Sequence, residues 1–185
     1  MIAVNELRKG TTFTMDGGIY KVLEYQHHKP GRGKATIRTK IRDLRTGSLI
    51  DKNFISGDRV EEIRIDKVEV QYLYDDGDFY HFMNTETYEQ PALPVAVLGD
   101  AVNYLSENMI LTLSFYEGEP IDVILPSAVE LQVVEAPLAV AGDTATGATK
   151  QVTVETGFKV TVPLFVNEGD TIRVNTRTGE YVTRV

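Results

Sequence analysis

Seven cationic side chains fall between His27 and Arg45: Lys29, Arg32, Lys34, Arg38, Lys40, Arg42 and Arg45, against the single acid Asp43. A net charge of +6 in so short a segment exceeds what a solvated face needs and matches the footprint of phosphate recognition. Six consecutive residues, three of them among these cations, define its tip, Lys29-Pro30-Gly31-Arg32-Gly33-Lys34. Pro30 fixes φ, and the glycines supply the positive φ that a tight reversal requires. With a glycine on each side, Arg32 has no bulky neighbour and falls at the apex. Its guanidinium offers five donors in a rigid fork. Taken alone, a Pro-Gly-Arg-Gly loop is an ordinary solvated turn. The basic strand behind it argues for a task.

Two strands must carry that tip. Ile19–Gln26 is rich in β-branched and aromatic residues. Lys34–Leu44 alternates strictly, with Ala35, Ile37, Thr39 and Ile41 on one face and Thr36, Arg38, Lys40 and Arg42 on the other. Period two is the strand signature. At about 3.3 Å per residue, an arm of eight residues would carry the Arg32 guanidinium roughly 25 Å from the hairpin base.

Other chemistry finds little support. His27 and His28 are neighbours on a strand and point to opposite faces, and there is no cysteine, so neither a shared metal nor a zinc spacing arises. No nucleophile elbow, phosphate-binding loop or dinucleotide fingerprint is present. Asp75-Asp76-Gly77-Asp78 lacks the further ligands of a calcium loop and reads as a turn. Tyr72, Tyr74, Phe79, Tyr80 and Phe82 could stack bases, but their alternation along strands favours the core or a half-buried sheet face. The expectation is a protein that is not an enzyme, with no cofactor and no metal.

The chain has 185 residues, 42% of them hydrophobic, enough to bury a core. Its formal charge of −8 is unevenly spread: +5 over residues 1–64 and −13 over residues 65–185. A basic head on an acidic body presses only the head against phosphates. Lack of cysteine fits a reducing cytoplasm, no apolar run spans a membrane, and the N-terminus does not read as a secretory signal.

Turn signals divide the chain into three modules. Residues 1–64 contain five short strands and suit an SH3-like barrel, with Asn5–Gly10 as a short helical turn. Residues 65–128 hold the strands Val68–Tyr74, Phe79–Met83, Ile110–Tyr116 and Ile121–Leu125. This module also carries a capping-box pattern at Thr85–Gln90 and a helix over Val95–Leu105. Residues 129–185 hold Val129–Val134, a long loop over Pro137–Lys150, and short strands at Gln151–Thr153, Gly157–Thr161, Thr171–Val174 and Tyr181–Val185. Strands at about ten-residue spacing in both later modules suggest barrels of the oligonucleotide-binding type. The fold class is therefore all-β.

Several separated motifs, in order, resemble those of bacterial translation elongation factor P across essentially the whole chain. They are Lys29-Pro30-Gly31-Arg32-Gly33; Tyr72-Leu73-Tyr74 with Phe82-Met83-Asn84 and Thr87-Tyr88-Glu89-Gln90; and Gly142-Asp143-Thr144 with Lys150. Glu155-Thr156-Gly157, Val162–Val166 and Asn175–Val182 complete the set. The resemblance implies an L-shaped, tRNA-like protein: a KOW-type SH3-like barrel and two OB-type barrels. It implies binding to the ribosome between the peptidyl and exit sites and help to stalled peptidyl-tRNA, chiefly within proline runs. Such help can be purely orientational. By position, Lys29 to Lys34 form the tip, Arg32 lies near the CCA end, and Arg38, Lys40 and Arg42 contact tRNA phosphates. Gly142, Asp143, Thr144 and Gly147 correspond to a loop near the exit-site mRNA codon, and Tyr181 and Arg184 to the end facing the small subunit. The family's tip is often modified, so Arg32 becomes a candidate for rhamnose addition by a modifying enzyme; Lys34 is a lesser acceptor. A monomer is expected, in the cytoplasm, without a membrane partner. The rival readings are a general single-strand RNA-binding protein and the paralogous elongation factor P-like protein, whose tip departs from the one seen here.

Overall fold

A computed structural model describes residues 1–138 and 148–185. Among these residues strands are the dominant regular element, arranged in three sheets.

The first sheet explains the tip. Its strands are β1 (Ile2–Ala3), β2 (Thr12–Met15), β3 (Gly18–His28), β4 (Thr36–Asp43), β5 (Leu49–Ile55) and β6 (Arg59–Glu62), in the order β1-β6-β2-β3-β4-β5. β3 and β4 pair from Tyr20 with Asp43 out to His28 with Thr36. As the period-two pattern requires, Ile37, Thr39 and Ile41 are buried and Arg38 is exposed. These residues close a core with Val4, Leu7, Phe13, Val22, Phe54 and Val60. A register shift between Val22 and Glu24 leaves Leu23 as an extra residue in β3, which bends the strand and increases its twist. The helical turn expected over Asn5–Gly10 is a single 3-10 turn at Val4–Glu6, closed by Glu6 accepting from the Ala3 N–H at 3.2 Å.

The arms do not stand out as a free two-stranded finger. β5 accompanies β4 along its whole length, from Leu49 opposite Arg42 to Ile55 opposite Thr36, and the Ser56 N–H donates to the Ala35 carbonyl at 2.8 Å. Only residues 29–34 project beyond the three-stranded support. Bracing replaces reach: the loop is short, and β4 beneath it is paired on both sides, with β3 and with β5.

The second sheet contains β7 (Asp66–Asp75), β8 (Phe79–Asn84), β9 (Ala92–Pro94), β10 (Ile110–Tyr116) and β11 (Glu119–Ile124), in the order β11-β10-β7-β8-β9. The helix expected over Val95–Leu105 forms differently. One α-turn, α1 (Val95–Leu98), passes at Gly99 into a 3-10 turn over Gly99–Tyr104. Gly99 has φ +56 and ψ −133, which no α-helix accommodates, so the apolar spacing was satisfied by two short turns. The Thr85–Gln90 capping pattern starts no helix. Asn84 Oδ1 instead accepts from the N–H groups of Glu86 and Thr87, making a turn.

The third sheet contains β12 (Ala128–Glu135), β13 (Thr149–Val154), β14 (Lys159–Pro163), β15 (Thr171–Asn175) and β16 (Tyr181–Arg184), in the order β14-β13-β12-β15-β16. Alternate valines, leucines and isoleucines from β12 to β15 fill its core, with Tyr104 among them. The end of the expected loop at Thr149–Lys150 is already strand.

By proximity the chain forms two compact units. One comprises Met1–Val68, Leu93–Gly99 and Leu113–Asp122; the other comprises Glu69–Ala92, Asp100–Thr112 and Val123–Val185. In the first, Ile19, Leu44 and Ile121 form a second small core with Ile63, Ile65 and Tyr116. In the second, the Thr156 hydroxyl donates to the Asn103 carbonyl at 2.6 Å, and Phe158 packs edge-on against Tyr104. No helix among the described residues is long and apolar enough to cross a membrane.

Candidate nucleic-acid interface

The tip loop is built from residues that cannot fold back. Lys29, Gly31, Arg32, Gly33 and Lys34 are exposed and Pro30 is half-buried. Gly33 has φ +100, which an L side chain adopts only under strain, whereas Gly31 has no such φ and open space beside it. The sequence assigns both glycines to the reversal; only Gly33 carries the left-handed residue. His27 and His28, at the end of β3, are exposed.

Charge along the hairpin is graded. Nearest the tip, Lys29, Arg32 and Lys34 make no ion pair among the described residues. Arg38 follows, also without an ion pair, between Gln26 on β3 and Asn53 on β5. Cross-strand partners share a face. Arg38 therefore stands exposed in a neutral, hydrogen-bonding row suited to a phosphate and its sugar. Lys40 stands opposite Glu24 and Asp51, and its Nζ lies 3.6 Å from Glu24 Oε1.

Farther down, the cations turn inward. Arg42 Nη2 donates to the Val97 carbonyl at 3.1 Å, and a Cβ on Gly99 would come within 2.6 Å of that nitrogen. Arg42, expected on a phosphate, is engaged within its own unit. Arg45 forms a two-pronged bond with Glu119 at 3.2 and 3.1 Å and also donates to the Gly17 carbonyl at 2.9 Å. Lys21 Nζ lies 2.7 Å from Oδ2 of the buried Asp122. Sequence reasoning missed these roles, because a residue more than fifty positions away leaves no local trace. Gln26 and Asn53 were missed too; only the strand register reveals them.

The remaining assignments separate. Gly142, Asp143, Thr144 and Gly147 lie outside the described residues. Tyr181 is half-buried against the core of the third sheet. The Arg184 guanidinium sits over the Phe165 ring, 5.0 Å from its centroid, and 3.6 Å from Asp170 Oδ2. Phe165 is 54% exposed, so the pair presents a stacked aromatic and cation at the surface. Of the aromatics on β7 and β8, Tyr72 and Phe82 are buried and Tyr80 half-buried, whereas Tyr74 and Phe79 are exposed. A register shift between Tyr72 and Tyr74 interrupts the alternation that would have hidden the latter. Among the described residues no group of three or more His, Asp or Glu is disposed to hold a metal.

Comparison with known proteins agrees along the chain. Residues 3–60 match the family described as the elongation factor P (EF-P) KOW-like domain, residues 65–123 the elongation factor P (EF-P) OB domain, and residues 129–184 the elongation factor P C-terminal family. Curated relatives called elongation factor P align over the full length of both chains. They include those of Alkaliphilus metalliredigens at 51% identity, Thermoanaerobacter at 50% and Caldanaerobacter subterraneus at 49%. Among solved structures, one described as eukaryotic translation initiation factor 5A from Methanococcus jannaschii aligns at 23% identity. Its TM-score is 0.49, and the alignment covers 66% of this chain and 92% of that one.

Proposed function

The chain belongs to the elongation factor P family, and from that premise we propose that it enters the ribosome between the peptidyl and exit sites. There it stimulates peptide-bond formation on stalled peptidyl-tRNA, chiefly at consecutive prolines, through the Arg32 tip. The observation that carries this reading is the graded hairpin: cations without ion pairs at the tip and at Arg38, a long exposed pair at Lys40, and cations engaged within the protein at Arg42 and Arg45. Such a gradient favours a tip inserted among phosphates while the base stays within the protein. No general acid, base or nucleophile is needed. Proline is a poor nucleophile that distorts the nascent chain, and holding the peptidyl end in a reactive geometry recovers an orientation effect. Arg32 supplies donors to the CCA end, with Lys29 and Lys34 adding charge and Pro30, Gly31 and Gly33 shaping the loop. Arg38 and Lys40 contact backbone phosphates. Arg32 is the residue on which a modifying enzyme would act.

The three family matches support domains at residues 1–64, 65–128 and 129–185. In this reading the protein works in the cytoplasm as a monomer. Tyr181 and Arg184 face the small subunit, and Gly142, Asp143, Thr144 and Gly147 lie near the exit-site codon.

Ribosome binding tests the placement. The protein should bind tightly to ribosomes carrying peptidyl-tRNA with a vacant exit site and weakly when that site is filled. It should bind free RNA weakly. Equal binding to free single-stranded RNA would replace this reading with that of a general RNA-binding protein.

A further inference from the structure

The second unit contains a cleft of about 340 Å³ whose walls differ in kind from the basic hairpin. Three tyrosines, Tyr72, Tyr74 and Tyr80, and three carboxylates, Asp75, Glu107 and Glu155, line it, and no lysine, arginine or histidine does. None of these carboxylates forms an ion pair among the described residues. The walls are held in place. Tyr74 stacks on His81 at 4.6 Å, Tyr72 lies against Tyr80 at 6.1 Å, and Thr156 is anchored by its bond to the Asn103 carbonyl.

Tyr72 is only 5% exposed, yet its hydroxyl makes no hydrogen bond among the described residues. No fully enclosed side-chain oxygen or nitrogen among them lacks a partner, so this oxygen keeps an open approach, and the cleft is the opening that Tyr72 lines. Burial first, then the charges of Asp75, Tyr80 and Glu107, push its ionisation up to about 12. At neutral pH it is therefore a neutral hydroxyl, with oxygen lone pairs to offer a donor, beside carboxylates that have no cationic partner; Asp75 and Glu155 each accept one backbone N–H, from Gly77 and Gln132, and keep their other oxygen open.

We propose that this cleft receives an arginine side chain from a basic polypeptide. A guanidinium is planar, carries only donors and stacks on tyrosine, so it matches rings, hydroxyl and carboxylates together. A bare metal ion would leave the tyrosine walls unused. Nucleic acid is disfavoured, because residues 65–185 carry −13 and phosphates would be repelled. The inference does not depend on where the tip binds.

The test is an NMR titration of the full chain, reading the ring resonances of Tyr72, Tyr74 and Tyr80. The probes are a capped Ala-Arg-Ala peptide, its citrulline isostere, putrescine and a short RNA. The arginine peptide should shift these rings saturably, and the citrulline peptide and RNA should not. A doubly substituted D75N/E107Q protein should bind the arginine peptide at least about fivefold more weakly. Tyr72→Phe, which keeps the ring and removes only the hydroxyl, should also weaken it; retained spectral dispersion certifies both folds. Equal response to citrulline, response to RNA or to putrescine alone, or affinity unchanged in both variants would overturn the proposal.

Discussion

Arg38 and Arg42 lie two pleat repeats apart on the same strand face, yet their surroundings give them opposite tasks. Arg38 stands between Gln26 and Asn53 with no ion pair, whereas Arg42 is bonded to the Val97 carbonyl. Arg38→Ala should leave stability unchanged and lower the slope of log affinity for ribosomes against log salt by about 0.7–0.9, the share of one phosphate contact. Arg42→Ala should leave that slope unchanged and destabilise the fold by about 1.5 kcal/mol. Denaturant unfolding and ribosome binding at several salt concentrations separate the two. At the same scale, the Asp76 carboxyl is pulled down to about 2 by its bond with His81 and by the backbone N–H groups of Phe79 and Asp78. A depressed folded-state ionisation contributes stability above the ordinary carboxylate value of 3.8, which is lost as pH falls toward about 2. The stability advantage of the protein over its Asp76→Asn variant should therefore shrink as pH falls between about 4 and about 2.

The elements that present these residues depend on two glycines for different reasons. Gly33→Ala puts a side chain at φ +100 and should distort the tip, lowering stimulation of peptide-bond formation with little loss of stability, because nothing lies near its Cβ. Gly31→Ala should be nearly silent in the same translation assay. Gly47→Ala is the structural counterpart: φ is +76 and the added Cβ would fall 2.5 Å from the Ala96 carbonyl oxygen. It should cost at least about 2 kcal/mol in denaturant unfolding. The strands around these positions were legible because period-two alternation is a backbone property: Ile37, Thr39 and Ile41 point inward as their spacing requires. The helix over Val95–Leu105 was not, because apolar spacing at short range cannot distinguish one helix from an α-turn and a 3-10 turn broken at Gly99. Nor did the strand pattern disclose β5 bracing the hairpin, since pairing partners are set by the tertiary register.

Across the whole molecule, charge is partitioned as the sequence indicates, with a basic N-terminal third and an acidic remainder. Motifs spread along the chain carried the family resemblance, and the three matched families bear it out. The internal engagement of Arg42, Arg45 and Lys21 stayed hidden, because each partner is distant in sequence and a cation looks the same whether it faces solvent or a carbonyl. The tyrosine cleft was hidden for a related reason: its walls come from β7, β8, the 3-10 turn region and the Glu155–Thr156 turn, which no local pattern links. The central claim, that a short loop on a braced strand acts through Arg32, is tested most directly by a purified translation reaction on a message encoding three consecutive prolines. Its arms are no factor, the protein prepared without and with its host's modifying enzymes, and Arg32→Ala. Relief of the stall by at least one preparation of the intact protein, lost in Arg32→Ala, is the predicted result. No relief by either preparation, or full relief by Arg32→Ala, would contradict it.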